Sequence, residues 1–153
     1  MFDDGKKRIC TSTWPQVGRA VVSLLALPIE SGSASSPALS DYSNSQVFIQ
    51  SFHISQLEMF GSVKRVTGTD DSDWTITQEN TQERFKHGGE MLQTGDMRGF
   101  GMRMYTRAFF PGGTMDWSEK LENDKLGLPK EDLDEFTKVA VGYVENGEAS
   151  GWS

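Results

Sequence analysis

Only a few short segments of this chain have the composition of β-strands, and this limits the folds open to it. Residues 8–12 and 47–49 favour extended backbone, and residues 74–76 form a further extended piece. The triplet 47–49 is continuously apolar, which is typical of a strand covered on both faces in a parallel sheet. Because two or three strands make only a marginal sheet, the sequence predicts the end of an incomplete α/β sheet.

The first predicted helix covers residues 15–27. Thr13 can cap its N-terminus, and Pro28 ends it because proline lacks a backbone N–H. Its apolar residues recur at spacings of three and four, which predicts one broad buried face: Val17, Ala20, Val21, Leu24 and Leu25.

A polar stretch separates this first part from a mostly helical remainder. Residues 31–45 are rich in Ser, Ala, Gly and Asn and predict a flexible loop. The whole chain, 1–153, has the length of a single region, in which residues 69–147 form a mostly helical subdomain.

Three further helices and a helical segment are predicted beyond the loop. Ser55 and Glu58 fit a capping box for a helix that ends at Thr67-Gly68. The next helix begins at residues 77–79 and ends near 87–89, and a helical segment lies around 102–109. The last helix has Pro129 near its first turn, with a predicted buried face of Leu133, Phe136, Val139, Ala140 and Tyr143.

Charge and composition exclude several classes of partner. The net charge of -7 disfavours a phosphate backbone or an anionic membrane, and the longest strongly apolar run, residues 20–27, is too short to cross a bilayer. The chain has one cysteine, Cys10, and no N-glycosylation sequon. These features predict a cytoplasmic protein with no nucleic-acid or membrane partner.

The common catalytic and cofactor motifs are absent from the sequence. Gly99-Phe100-Gly101 offers two glycines of a dinucleotide fingerprint, but Met104 stands at the third position and no buried strand precedes them. Asp70, Asp71 and Asp73 lack the glycine and glutamate of a calcium loop. No metal-ligand spacing, nucleophile elbow or P-loop occurs, so no catalytic, cofactor-binding or metal-binding residue is assigned.

Four residues are candidates for a substrate pocket. His53 lies between the predicted strand 47–49 and the capped helix, where α/β proteins often carry ligand-facing loops. Met102, Tyr105 and Phe109 could line an apolar ligand pocket. For each of them a purely structural role is the alternative: a backbone hydrogen bond for His53 and core packing for the other three.

Several segments together resemble the C-terminal part of NmrA-like proteins, in the isoflavone-reductase-like branch of the atypical short-chain dehydrogenases. They are similar in order and spacing over nearly the whole chain, and the last one looks like that of fungal members: Asp3–Gly5, Thr13–Val21, Val47–Ile49, Phe52–Gln56, Val66–Gly68 and Leu126–Asp134. Gln16 departs from the pattern, because the family usually has an acidic residue there, a change that could loosen the start of the helix.

The resemblance implies an incomplete NAD(P)-binding Rossmann-like fold with a helix-rich C-terminal substrate subdomain. In the family the N-terminal part binds NADP(H), and its glycine-rich loop and catalytic lysine lie upstream of the matched region. The expected function is therefore that of a truncated NAD(P)H-dependent oxidoreductase, which reduces a small organic metabolite, in fungal secondary metabolism for example. This chain alone is expected to bind no NADP.

Two alternatives stay open at this stage. One is a non-catalytic NmrA-like regulatory or interaction module, in which the acidic segment 116–134 contacts a protein partner. The other is a remnant reading frame with no function of its own. The sequence alone therefore does not decide whether the protein is an enzyme.

Overall fold

The structure is a computed structural model that describes residues 1–30, 32 and 37–147. Within these residues it is a mixed α/β protein with two β-strands and five α-helices, which confirms the α/β class. Short 3₁₀ turns lie at residues 39–42, 71–73 and 118–120. The longer elements follow in the order β1 (Arg8–Thr11), α1 (Trp14–Leu25), β2 (Phe52–Ser55), α2 (Gln56–Thr67), α3 (Thr81–Gln93), α4 (Arg98–Ala108) and α5 (Leu133–Glu145).

Strands β1 and β2 form a two-stranded antiparallel sheet. The register is fixed by two flanking hydrogen bonds, from Ser51 N–H to the Thr11 carbonyl at 2.8 Å and from Leu57 N–H to the Gly5 carbonyl at 3.1 Å. The partner number rises along one strand as it falls along the other, which is the antiparallel pattern. The prediction of parallel pairing was therefore wrong for the described sheet.

The apolar triplet 47–49 is not a strand, contrary to the sequence prediction. Its central residue, Phe48, makes a single parallel bridge to Leu121, and all three side chains are only partly buried. The strand begins instead at Phe52, and the β-branched residue Ile54, two positions further along, is buried. A short apolar run does not by itself show how far a segment is paired, because pairing depends on residues distant in sequence.

The chain divides into two compact units. The larger unit contains Met1–Ile9, Ile54–Asp116 and Asp132–Ser153. The smaller unit contains Cys10–His53 and Trp117–Glu131. The sequence-based assignment of one region over 1–153 stays a prediction.

In the smaller unit, α1 confirms the predicted first helix. The Thr13 hydroxyl accepts a hydrogen bond from Gln16 N–H, as expected of an N-cap residue. The predicted buried face is only partly correct, because Ala20 is buried whereas Val21 and Leu25 are exposed. Ala20 packs with a small cluster formed by Leu126 and Leu128, against which Leu24, Leu27, Val47 and Ile49 also lie.

The predicted loop 31–45 is described only in part. Residues 31 and 33–36 lie outside the described residues. The remainder contains a 3₁₀ turn at Leu39–Tyr42, and Ala38 just before it is fully buried. Glu122 accepts a hydrogen bond from the Tyr42 hydroxyl at 3.3 Å. The pKa of Tyr42 is raised, mainly because the hydroxyl is partly buried and secondly because the negative charge of Glu122 lies close to it. The flexibility of the whole segment stays a prediction.

A side-chain amide completes the backbone pairing next to β2 in the smaller unit. Asn123 Nδ2 donates to the Gln50 carbonyl at 2.7 Å, and Asn123 Oδ1 accepts from Gln50 N–H at 3.0 Å. The amide thus makes the two bonds that a neighbouring strand would make at that residue. Trp117 adds a bond from its indole N–H to the Ile49 carbonyl at 3.1 Å.

In the larger unit, α2 confirms the predicted capping box. Ser55 Oγ accepts from Glu58 N–H at 3.3 Å, and the Glu58 carboxylate accepts from Ser55 N–H at 2.8 Å. At the other end Gly68 has a φ of 68°, a left-handed conformation that glycine adopts at low cost. Both ends of this helix were therefore readable from local sequence.

The boundaries of α3 differ from the prediction at both ends. Helix α3 begins at Thr81, because the Asn80 side chain caps it by accepting from Gln82 N–H and Glu83 N–H. In the predicted extended piece 74–76, Trp74 has extended backbone with φ -123° and ψ 137°, but the segment is not paired as a strand. The pair Gly88-Gly89 does not end the helix, which continues to Gln93.

Helix α4 begins at Arg98, four residues before the predicted segment 102–109, so Gly99 and Gly101 lie in its first turns. Helix α5 begins at Leu133, after the N-cap Asp132, and not near Pro129. The predicted buried face of α5 was wrong in its second half. Leu133 and Phe136 are partly buried, whereas three later members are exposed: Val139, Ala140 and Tyr143.

The N-terminal residues of the larger unit are held against the segment that leads into α3. Phe2 forms a parallel bridge with Glu79. The Asp3 carboxylate accepts from Thr81 N–H at 3.0 Å and from the Thr81 hydroxyl at 2.7 Å. These bonds satisfy the polar atoms of Thr81, which is 1% exposed.

A polar cluster joins α2 to α5 in the same unit. The Ser62 hydroxyl donates to Asp134 at 2.6 Å and lies 2.7 Å from the Thr137 hydroxyl. Arg65 donates to the same carboxylate through Nε and Nη2 at 2.8 and 2.6 Å. The pKa of Asp134 is lowered to about 2, mainly by the hydrogen bond from Arg65 and secondly by the hydrogen bond from Ser62.

Every helix in the described ranges 1–30, 32 and 37–147 is too short or too polar to cross a lipid bilayer.

Candidate functional site

The candidate site lies on the helical hairpin of α3 and α4, in the larger unit. A Cβ atom built on Gly88 would lie 2.9 Å from the Gly99 carbonyl oxygen and 2.8 Å from Arg103 Cγ. These distances leave no room for a side chain, so glycine allows the two helices to pack in close contact. The close packing holds one face of α4 against α3 and leaves the other face in solvent.

An open groove of about 800 Å³ lies along the exposed face of α4. Its lining is mostly apolar. Two aromatic side chains in this lining are open to solvent, because Phe100 is 59% and Tyr105 54% exposed. Three of the lining residues are methionines, whose flexible side chains fill irregular space. This property suits the wall of a ligand site that adapts to its ligand. The groove is lined by Arg84, Met97, Arg98, Phe100, Gly101, Met102, Met104 and Tyr105.

Arg84 is the best positioned polar group of the α4 groove. Its guanidinium donates to Glu79 and lies 5.4 Å from the centre of the Phe2 ring. Among the described residues its Nε is buried without a hydrogen-bond acceptor. A buried N–H without a partner costs about 1–3 kcal/mol, so a rearrangement of this side chain that gave Nε an acceptor would be favoured.

Arg98 places a second positive charge at the groove. Its Nη2 lies 2.6 Å from Asp96 Oδ2, and its backbone N–H donates to Asp96 Oδ1 at 3.0 Å. The side-chain hydrogen bond from Arg98 is the main cause that lowers the pKa of Asp96, and the same bond raises the pKa of Arg98. The Arg98 side chain is 81% exposed, so its charge is open to solvent and ligands.

Two smaller depressions share residues with the α4 groove. One, of about 520 Å³, is polar; it includes Glu83 and His87 and shares Arg84 and Met102 with the groove. The other, of about 360 Å³, is apolar and shares Phe100 and Met104 with it. The groove therefore adjoins one depression with a partly polar lining and one with an almost wholly apolar lining.

The structure brings together two of the four predicted pocket residues. Met102 and Tyr105 both line the α4 groove. Phe109 does not line it; its ring packs 5.5 Å from that of Phe2, so core packing accounts for this residue. His53 belongs to the smaller unit.

His53 lies close to Cys10 within the smaller unit. A ring nitrogen of His53 and the Cys10 sulfur are within 4.8 Å of each other, and Trp117 N–H donates to this sulfur at 3.3 Å. No sequence pattern indicated that His53 lies near Cys10, because the two residues are distant in the chain. Antiparallel pairing of β1 with β2 brings them together. A thiolate and an imidazole can bind zinc, but they are two of the four ligands that a structural zinc site needs.

Six lining residues of the α4 groove were not predicted as pocket residues: Arg84, Met97, Arg98, Phe100, Gly101 and Met104. A signal for part of this set was present, because residues 97, 101 and 105 recur every four positions and share one face of a helix. Arg84 had no such signal, since it comes from α3 and reaches the groove through helix packing.

The glycines at the start of α4 do not fit the pyrophosphate of a dinucleotide. Gly99 lies in contact with Gly88, and Gly101 is inside the helix with open space beside it. A pyrophosphate cradle instead needs free backbone N–H groups in a loop between a strand and a helix. The described residues around Gly99 therefore serve helix packing.

Comparisons with known proteins give no relative for this chain: no protein-family model, no curated protein and no solved structure matches it.

Proposed function

We propose that this chain is the substrate-side part of an NAD(P)H-dependent oxidoreductase of the NmrA-like type, and that its α4 groove holds a small organic metabolite. The observation that carries the proposal is the groove itself, which combines an apolar wall with Arg84 and Arg98. Ligand sites of this size usually have such a lining, with few polar groups to orient the molecule. The reaction class, reduction by NAD(P)H, is supported by the resemblance of the sequence to NmrA-like proteins.

In this proposal β1 and β2 belong to the end of a larger Rossmann-like sheet. An antiparallel pair at the edge is compatible with that, since mixed sheets often carry an antiparallel edge strand. The nucleotide is held by residues that are not among these 153. The metabolite is a small molecule that suits a cytoplasmic pathway, such as fungal secondary metabolism.

The ligand part of the proposal can be tested with anilinonaphthalene sulfonate, an aromatic anion whose fluorescence rises in apolar sites. We expect saturable binding to the chain, weakened at least tenfold by Met104→Glu, because a carboxylate in the wall repels the anion. Val144→Glu on α5 is the matched control, since it adds the same charge at an exposed apolar position outside the lining of the groove. Equal weakening by both variants would contradict the proposal.

The cofactor part requires a second measurement. We expect calorimetry to detect no micromolar binding of NADPH to this chain, because no described glycine loop fits a pyrophosphate. Fusion of an upstream nucleotide-binding segment is expected to give NADPH oxidation with some enone or carbonyl substrate. Micromolar binding of NADPH by the chain itself would contradict this division of roles.

The second candidate is a non-catalytic module that binds a metabolite or a protein partner and performs no chemistry. One observation favours it: among the residues that line the α4 groove, the Tyr105 hydroxyl is the one group of the usual acid–base types, and no histidine, lysine or carboxylate stands beside it in the lining. The acidic segment 116–134 supports it less, because Glu122 is paired with Lys125 and Glu131 with Arg19. A fused protein that binds both NADPH and the probe but oxidises no NADPH would favour this candidate.

A further inference from the structure

Helix α1 of the smaller unit is fixed along one face only. Gln16 is 1% exposed, and its Nε2 donates to the Pro129 carbonyl at 2.9 Å. Arg19 forms an ion pair with Glu131. Together with buried Ala20, these contacts set which side of the helix faces its own unit.

The opposite face of α1 is a stripe of exposed apolar side chains. Trp14 is 89% exposed, and Leu25, at the other end of the helix, is 68% exposed. The intervening members are also exposed, and residues 14, 17, 21 and 25 follow the spacing of one helix face. The α1 stripe consists of Trp14, Val17, Val21, Val22 and Leu25.

The α1 stripe carries no charge. Arg19, the only charged residue of α1, is engaged with Glu131. A contiguous apolar surface with no charges marks an interface, because water covers it at a cost in free energy. A partner with a charged surface would find no counter-charge on the stripe, whereas a second uncharged stripe would need none.

We propose that the α1 stripe is a self-association surface, on which α1 of a second copy of this chain packs antiparallel about a two-fold axis. An isologous contact requires a surface that complements itself. If the axis passes midway along the stripe, Trp14 of one copy faces Leu25 of the other, and Gly18 faces Val21. A Cβ built on Gly18 meets no atom within 4 Å, so the space over this residue can receive the valine.

The area of the stripe sets the expected strength of this dimer. One face of a three-turn helix buries on the order of 500 Å² per copy, against about 800 Å² per partner in a standard stable interface. The contact is therefore expected to be weak and reversible, with a dissociation constant in the micromolar range or above. The dimer would form at high protein concentration and dissociate on dilution, and it does not depend on the proposed oxidoreductase function.

Sedimentation equilibrium of the full chain over roughly 1–500 µM tests this proposal. We expect the wild type to shift from monomer to dimer across this range. Val21→Glu should weaken the dimer at least tenfold, because it places a charge on each side of the axis. The matched control is Val139→Glu on α5, since Val139 is 50% exposed and Val21 51% exposed.

Circular dichroism shows whether both variants keep the helical content of the wild type. A folded Val21→Glu monomer beside a dimeric Val139→Glu protein supports the α1 contact. A wild type that stays monomeric at the highest concentration overturns it. A dimer that survives Val21→Glu, or one that Val139→Glu dissociates to the same extent, also overturns it, because the contact then lies elsewhere.

Discussion

Gln16 Nε2 donates to the backbone carbonyl of Pro129 at 2.9 Å, and this bond fixes a buried polar side chain between two segments of the smaller unit. The same amide accepts from Arg19 Nε at 3.0 Å through its oxygen. Gln16 thus has its donor and its acceptor satisfied at once, which an acidic side chain at this position cannot do. The sequence expectation that glutamine loosens the start of α1 is at odds with this geometry.

The first prediction concerns Gln16→Glu. A carboxylate oxygen would face the Pro129 carbonyl in place of the amide N–H, so the bond is lost and two acceptors are opposed. We expect a loss of about 1–3 kcal/mol in the free energy of unfolding, measured by urea titration. Gln82→Glu, at an exposed site in the first turn of α3, should change stability by less than about 0.5 kcal/mol. An equally small effect of Gln16→Glu would show that the buried bond contributes little.

The second prediction compares two glycines of the helical hairpin. Gly88→Ala is expected to destabilise the protein by about 1–3 kcal/mol, because its methyl group would collide with the Gly99 carbonyl. Gly101→Ala meets nothing within 4 Å and lies inside α4, so it should stabilise by about 0.5–1 kcal/mol through helix propensity. Urea unfolding measures both. Two alanine variants with the same sign of effect would contradict the close packing of α3 on α4.

The third prediction is a pH dependence that arises from Asp134. Its pKa in the folded protein is about 2, lowered from the value of 3.8 for a free aspartate. A lowered pKa means that this carboxylate stabilises the folded state above pH 3.8, and that the contribution is lost as the pH falls from 3.8 towards 2. The wild type should therefore exceed Asp134→Asn in stability at neutral pH, and the difference should vanish near the lower value.

Urea unfolding of the wild type and Asp134→Asn at a series of pH values measures this difference. Asp124→Asn, an exposed aspartate of the smaller unit, serves as the control for a general effect of removing one negative charge. A difference between the wild type and Asp134→Asn that stays constant down to the lowest pH would contradict the assignment to the cluster with Arg65 and Ser62.

The fourth prediction tests the capping box of α2. Ser55→Ala removes the oxygen that accepts from Glu58 N–H, and we expect a loss of about 1 kcal/mol. Ser55→Thr should restore most of it, because the threonine hydroxyl can accept the same bond and can also donate to the Glu58 carboxylate, as the Ser55 hydroxyl does at 2.9 Å. Thermal unfolding followed by circular dichroism measures both. If Ser55→Thr is no more stable than Ser55→Ala, the cap is not the source of the effect.

The sequence predicted best where short-range chemistry decides the structure. The start of α2 at Ser55 and its end at Gly68 follow from side chains within three or four residues, and the structure has both. The sequence failed where a distant segment decides. Gly88 was expected to end a helix, yet its lack of a side chain serves the approach of α4, which no local pattern shows.

The candidate site divides in the same way. Met102 and Tyr105 were identified because a stretch rich in methionine and aromatic residues is typical of an apolar pocket, and they share the groove. Arg84 lies on the preceding helix and was missed, because only tertiary packing brings it there. Phe109 belongs to the same stretch but packs on Phe2, whose position at the far end of the chain gave no indication of contact.

The amide of Asn123 has a consequence for polymer formation. Exposed strand edges recruit further strands, and unpaired backbone groups next to β2 would be open to such recruitment. Because Asn123 already occupies both the N–H and the carbonyl of Gln50, a foreign extended peptide finds no bonding sites at that residue. One side chain thereby closes the backbone bonding sites of Gln50 and is expected to oppose the recruitment of a further strand at this residue.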